Sequence, residues 1–194
     1  MSYSREIAQA IVAILDEKDF RYSFDQEKGI IQYILHIKSK IRYVNYTIRV
    51  RDDAFTVYAY SPINADNEDT DQITRVAEFI CRANYGLVNG NFELDFNDGE
   101  IRYKCHVDCE GDNDDIAYTS EIMKTAMQLP ANMFKTYGDG LLDVIFSGEK
   151  AKEAVDRCEN RGRSGGSGDA PSASDIEELL RRLAEAGGSD GSES

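Results

Sequence analysis

The sequence predicts an α+β fold: an antiparallel sheet, built as a four-strand meander plus a later hairpin, together with helices. Three observations carry this. Apolar residues recur at helical spacing between Ser4 and Glu17. They then alternate with a period of two in runs between Phe20 and Tyr60, joined by short turns. Helical spacing returns at Thr70, and the period of two comes back once more on either side of Gly99. A period near 3.6 lines one side of a helix, and a period of two lines one face of a strand.

The first helix places Ile7, Ile11, Ile14 and Leu15 on one side, with Ser4 as its N-cap. Phe20, Tyr22 and Phe24 then alternate with Arg21, Ser23 and Asp25, and Gly29 ends the turn that follows. Ile31, Tyr33, Leu35 and Ile37 line the next strand, and Val44, Tyr46, Ile48 and Val50 the third. In the fourth, Phe55, Val57 and Ala59 alternate with Thr56, Tyr58 and Tyr60 before Pro62 closes it. Short connections between such strands predict antiparallel neighbours. A second helix spans about Thr70 to Leu87, with Ile73, Val76, Ala77, Ile80 and Cys81 as its apolar stripe. The acids of NADNEDTD suit the positive end of its dipole, and Asn89-Gly90 is its expected stop.

The stretch FELDFNDGEIRYKC, Phe92 to Cys105, is rich in oxygen ligands. A calcium hand needs D-x-[DN]-x-[DN]-G between helices; counted from Asp95, the glycine comes one place early and the flanks have strand periodicity. As a hairpin, Asp98-Gly99 supplies a two-residue type I′ turn, for which Asp-Gly is a preferred pair. Phe96 then faces Ile101, Leu94 faces Tyr103 and Phe92 faces Cys105. Asp95 faces Arg102 and Glu93 faces Lys104. A slip by one residue loses every match. The polar loop EGDNDD leads to a helix from about Ile116. Pro130 is expected to interrupt it, a further helical region to run from Ala131 to Glu159, and Tyr137-Gly138-Asp139-Gly140 to bend that region. The predicted domain therefore covers 1–159. Residues 160–194 read as a Gly/Ser-rich linker and disordered tail, interrupted by a short amphipathic helix at about 174–186. Ser174 and Glu177 form a capping box, and Ile176, Leu179, Leu180 and Leu183 share one face as candidate partner-binding anchors.

The chain has 194 residues and a formal net charge of −14. That charge repels phosphates and anionic lipid, so neither nucleic acid nor a membrane surface is an expected partner. No export signal and no membrane-length apolar run are present, which predicts a cytoplasmic protein with Cys81, Cys105, Cys109 and Cys158 reduced. Cys105, His106 and Cys109 are zinc-ligand types, yet a strand sends His106 to the opposite face from the cysteines. The acids around Asp108 and Asp112 lack the glycine of a calcium loop. His36 and His106 are the only histidines, both in strands, and no nucleophile, phosphate-loop or nucleotide motif is present. No catalytic, metal or cofactor residue is assigned.

The order helix, four strands, helix, hairpin, helices, taken with CRANYGLVNGNFELDFNDGEIRYKCHVD from Cys81 to Asp108, resembles the YbjN domain family of bacterial proteins. Asn84, Gly90 to Asp95 and Gly99 to Tyr103 carry the likeness. LPANMFKTYGDGLLDVIFSGEKAKEAVDRCE resembles the end of such domains. The resemblance implies a fold like that of type III secretion chaperones, with all helices packed on one side of the sheet. It implies protein partners, a homodimer among them, and carries the family's label of sensory transduction regulator. The expected function is a non-catalytic, chaperone-like or regulatory protein-binding module. The alternative is a small-ligand sensor or an enzyme with a pocket on the sheet, lined by Tyr43, Tyr58, Tyr60 and Tyr103.

Overall fold

The structure, a computed structural model, describes residues 2–109 and 116–164. The elements are α1 (Arg5–Glu17), β1 (Tyr22–Asp25), β2 (Ile30–His36), β3 (Tyr43–Val50), β4 (Ala54–Tyr60), α2 (Thr70–Asn84), β5 (Asn91–Leu94), β6 (Ile101–Asp108), α3 (Ile116–Ser147) and α4 (Ala151–Ser164). The six strands form one antiparallel sheet in the order β1-β2-β3-β4-β6-β5. The helices cover one face of it, which is the α+β arrangement expected.

Local chemistry sets the boundaries. Ser4 Oγ accepts from the Ile7 N–H at 3.2 Å and starts α1. Asp69 caps α2 by accepting from the N–H groups of Asp71 and Gln72 at 3.0 and 2.9 Å. That helix stops at Asn84, short of the predicted Leu87, because Tyr85 is extended and Gly86 turns to φ 93°. Between sheet and helices lies one core, in which Tyr46, Tyr103, Phe55, Phe79 and Phe134 are fully buried. Each such side chain contributes about 1.5–3 kcal/mol of burial.

The hairpin forms, in a different register from the one predicted. Leu94 pairs with Ile101, Glu93 with Arg102, Phe92 with Tyr103 and Asn91 with Lys104. The slip is two residues, so every side chain keeps its face while every partner changes. The turn chemistry is the cause. A type I′ turn needs positive φ at both Asp98 and Gly99, but only Gly99 has it, at 73°. Asp95 instead pairs with Glu100 (N–H to O, 2.9 Å), and its carbonyl accepts from Gly99 N at 2.8 Å, closing a four-residue loop. Asp95 Oδ1 holds that loop by accepting from Asn97 N at 2.8 Å and Asn97 Nδ2 at 2.7 Å. Phe96 is left 60% exposed at the tip instead of facing Ile101.

One further expectation is corrected in α3, which runs as one helix through Pro130 instead of being interrupted there, with Gly138 and Gly140 inside it. Pro130 removes one helical donor, but Met123, Ala126, Met127, Ala131 and Phe134 around it are all buried, and that packing holds the helix together. Gly138 and Gly140 are contact points. A β-carbon at Gly138 would lie 2.9 Å from Ile41 Cδ1, and one at Gly140 would lie 2.5 Å from Cys158 Sγ. Between them Asp139 Oδ1 accepts from Ser39 Oγ at 2.9 Å and Lys40 N at 2.8 Å, docking the β2–β3 turn on α3. The break falls later, at Gly148 with φ 65°.

The helix α4 continues to Ser164. The acidic loop at 110–115 and the tail at 165–194 lie outside the described residues. Among the described residues, no helix is long and apolar enough to cross a membrane.

Candidate functional site on the open sheet face

The sheet has a second face, and the strand register determines what stands on it. Residues that alternate with the core point outward, and the ladder aligns them in rows across the strands. One row runs Gln32, Thr47, Tyr58, Lys104, Asn91. The next runs Ile34, Asn45, Tyr60, Arg102, Glu93. A third runs Ile30, Arg49, Thr56, His106. No helix among the described residues packs on these rows; Gln32, Ile34, Arg49 and His106 are exposed.

At the centre, Tyr58 and Tyr60 stack at 6.2 Å between ring centroids, two residues apart on β4. Arg102 of β6 sets its guanidinium 4.9 Å from the Tyr58 centroid and 6.0 Å from that of Tyr60. Arg49 of β3 approaches Tyr58 from the other side at 5.9 Å. Such contacts stabilise by about 0.5–1 kcal/mol when exposed. Glu93 completes the patch, accepting from Arg102 Nε at 2.7 Å and pairing with Lys104. Burial alone would raise the Glu93 carboxyl; the hydrogen bonds from Lys104 and Arg102 outweigh it and hold it below the ordinary value. Burial raises the Tyr60 hydroxyl above its ordinary value, against the pull of Arg102. Thr56 Oγ1 lies 2.9 Å from His106 Nδ1, at the patch edge.

The structure divides the tyrosine set read from the sequence. Tyr58 and Tyr60 lie together, and Tyr43 stands at the far corner of the same face beside His36, with ring centroids 6.1 Å apart. Tyr103 points the other way into the core, donating to the Asn89 carbonyl at 2.5 Å. A pocket lined by all four is not assembled. Cys105 is buried on the core face, opposite His106, and burial pushes its thiol up. The tail anchors Ile176, Leu179, Leu180 and Leu183 lie outside the described residues.

The face is polar and aromatic. Among the described residues, its one hydroxyl–imidazole contact is Thr56 with His106 at the edge, and no three metal-ligating side chains converge. What it offers is planar cations over rings, with Glu93 fixing Arg102. Arg49 and Arg102 are not legible as site residues in the sequence. Parity placed each outward, but only the β4–β6 pairing, which sequence does not reveal, puts Arg102 over Tyr58. Compared with known proteins, the chain matches no family model, no curated protein and no solved structure.

Proposed function

We propose that the domain is a non-catalytic protein-binding module, chaperone-like or regulatory, that works in the cytoplasm through the open face of its sheet. One observation carries the reading: the uncovered face concentrates Tyr58, Tyr60, Arg49 and Arg102 at its centre. Tyrosine and arginine are enriched at the energetic centres of protein interfaces, where rigid rings and planar cations bury area at little entropic cost. The cations on an acidic chain favour a partner surface that presents carboxylates. The resemblance to the YbjN family supports the chaperone-like form of the reading.

The test is photo-crosslinking from p-benzoylphenylalanine placed at Asn45 or Thr56 on the open face, with Glu78 on α2 as the control position. Partner crosslinks are expected from the sheet positions alone. They should be lost in a Tyr58→Ala, Arg49→Glu double variant that keeps its melting temperature. Equal crosslinking from Glu78, or insensitivity to the double variant, would refute the sheet face. A second copy of the chain is the competing occupant, revealed by crosslinked homodimer. Thermal stabilisation by a metabolite, without protein crosslinks, would favour the small-ligand sensor instead.

A further inference from the structure

A second surface lies on the helical side. Between α1, β2 and α3 runs a groove of about 290 Å³. Its floor is Phe20 stacked on Tyr33, with ring centroids 5.6 Å apart and planes 22° from parallel. Ile14 and Met127 form its walls, and Lys18, Lys124 and Lys135 stand around its rim. No carboxylate lines it, although the chain carries 36 acids against 22 bases. Lys124 also reaches Glu17 and Glu121, each at 3.6 Å and on the solvent side. Lys18 and Lys135 make no ion pair among the described residues.

An apolar floor with a cationic rim fits an apolar stripe with acidic borders, and the chain carries such a segment. Ile176, Leu179, Leu180 and Leu183 fall on one side at helical spacing; Asp175 and Glu177 border that stripe in the first turn, Arg181 and Arg182 stand farther round, and Ser174–Ala186 carries four acids against two bases. We propose that Ser174–Ala186 docks in cis into this groove, with the leucines on Phe20 and Tyr33 and the two acids toward Lys18 and Lys135.

The path of the chain supports this occupant over others. α4 runs antiparallel to α3: the Tyr137 hydroxyl reaches Glu159 at 3.2 Å, and Gly140 packs against Cys158. Continued to Ser164, that register brings the end of α4 level with Asn132 to Phe134, and Asn132 lines the groove on the far side of α3. Nine residues, 165–173, then separate Ser164 from Ser174. Their contour reaches about 30 Å, against a helix diameter of about 10–12 Å. That length is enough to pass round α3 to the groove. A helix this short is marginal alone, and the groove would supply the packing that it lacks. This inference is independent of the sheet-face reading, which concerns the opposite side of the molecule.

The test uses the full chain with p-benzoylphenylalanine at Leu180, irradiated at low micromolar concentration and mapped by mass spectrometry. Crosslinks within the monomer to Ile14–Phe20 and Met127–Lys135 are expected. Lys18→Glu with Lys135→Glu should cut their yield about fivefold, the combined effect of two exposed ion pairs. Asp175→Lys with Glu177→Lys in that background should restore it. Circular dichroism checks that each variant folds, and both lysines are exposed. Crosslinks to Tyr58 or Tyr60, a crosslinked dimer, no crosslinks, or a yield unmoved by charge reversal would each overturn the proposal.

Discussion

At the scale of single residues, close approach decides more than propensity does. Gly140 sits inside α3, where alanine would ordinarily be preferred by about 1 kcal/mol. Here a β-carbon would meet Cys158 Sγ at 2.5 Å, and the Ala154 carbonyl and Phe79 Cε2 at 3.3 Å each. Gly140→Ala should therefore destabilise, by about 1–3 kcal/mol of overpacking, against the sign of helix propensity. Urea unfolding measures this. Repeating it in a Cys158→Ala background separates the cause: with the sulfur gone, most of the penalty should vanish. Equal penalties in both backgrounds would sink the contact explanation. Asn84 shows the same scale of control. Its amide donates to the Phe92 carbonyl at 2.9 Å and accepts from the Phe92 N–H at 2.8 Å. Those groups face away from β6, so one side chain covers the middle of the free edge of β5.

At the scale of elements, the β5–β6 hairpin shows what sequence could and could not supply. Alternation put Phe92, Leu94, Ile101, Tyr103 and Cys105 on one face, because a pleat admits two states and the apolar residues choose one; only the four-tyrosine pocket set Tyr103 on the other. Register was another matter: it hangs on the turn, and Asp95 captures Asn97 before Asp98-Gly99 can form the tighter alternative. Pro130 misled for a related reason. It is a helix breaker in isolation, but its cost is local and the buried face of α3 spans many turns. The hairpin also carries a pH signature. Glu93 titrates below its ordinary value when folded, so its stabilising effect is complete above the unfolded value, near 4.5, and is lost as pH falls through the lower folded one. Glu93→Gln should thus be less stable than wild type at pH 7, with the gap closing in acid. Glu100 neighbours the same Arg102 and is shifted upward, chiefly by burial. Its charge costs stability at pH 7, and that cost disappears as pH falls through its raised folded value. Glu100→Gln should therefore differ in the opposite direction. Parallel urea titrations at pH 7 and pH 3 compare the two, and like signs for both variants would contradict the assignment.

At the scale of the whole molecule, chain order and spatial order part company. The hairpin joins the meander through its second strand, so β6 lies between β4 and β5, and the sheet ends in β1 and β5. Both edge strands have four residues, while the inner four have seven or eight. Tyr46, Phe55 and Tyr103, all fully buried, lie on the inner strands β3, β4 and β6, where ladder bonds form on both sides. Opening that region exposes the centre of the core, whereas an edge can fray by itself. Native-state hydrogen exchange should accordingly find the slowest amides in β3, β4 and β6, exchanging near the free energy of global unfolding. Those of β1 should exchange faster through local opening. The Phe92 amide of β5 should be slow for an edge position, because its partner is the Asn84 side chain. Asn84→Ala should speed its exchange far more than that of the β6 amides, by about 10-fold or more if the lost hydrogen bond is worth 1.4 kcal/mol. Exchange in β6 as fast as in β1 would mean that the hairpin is not joined to β4, and the rows that place Arg102 over Tyr58 would fall with it.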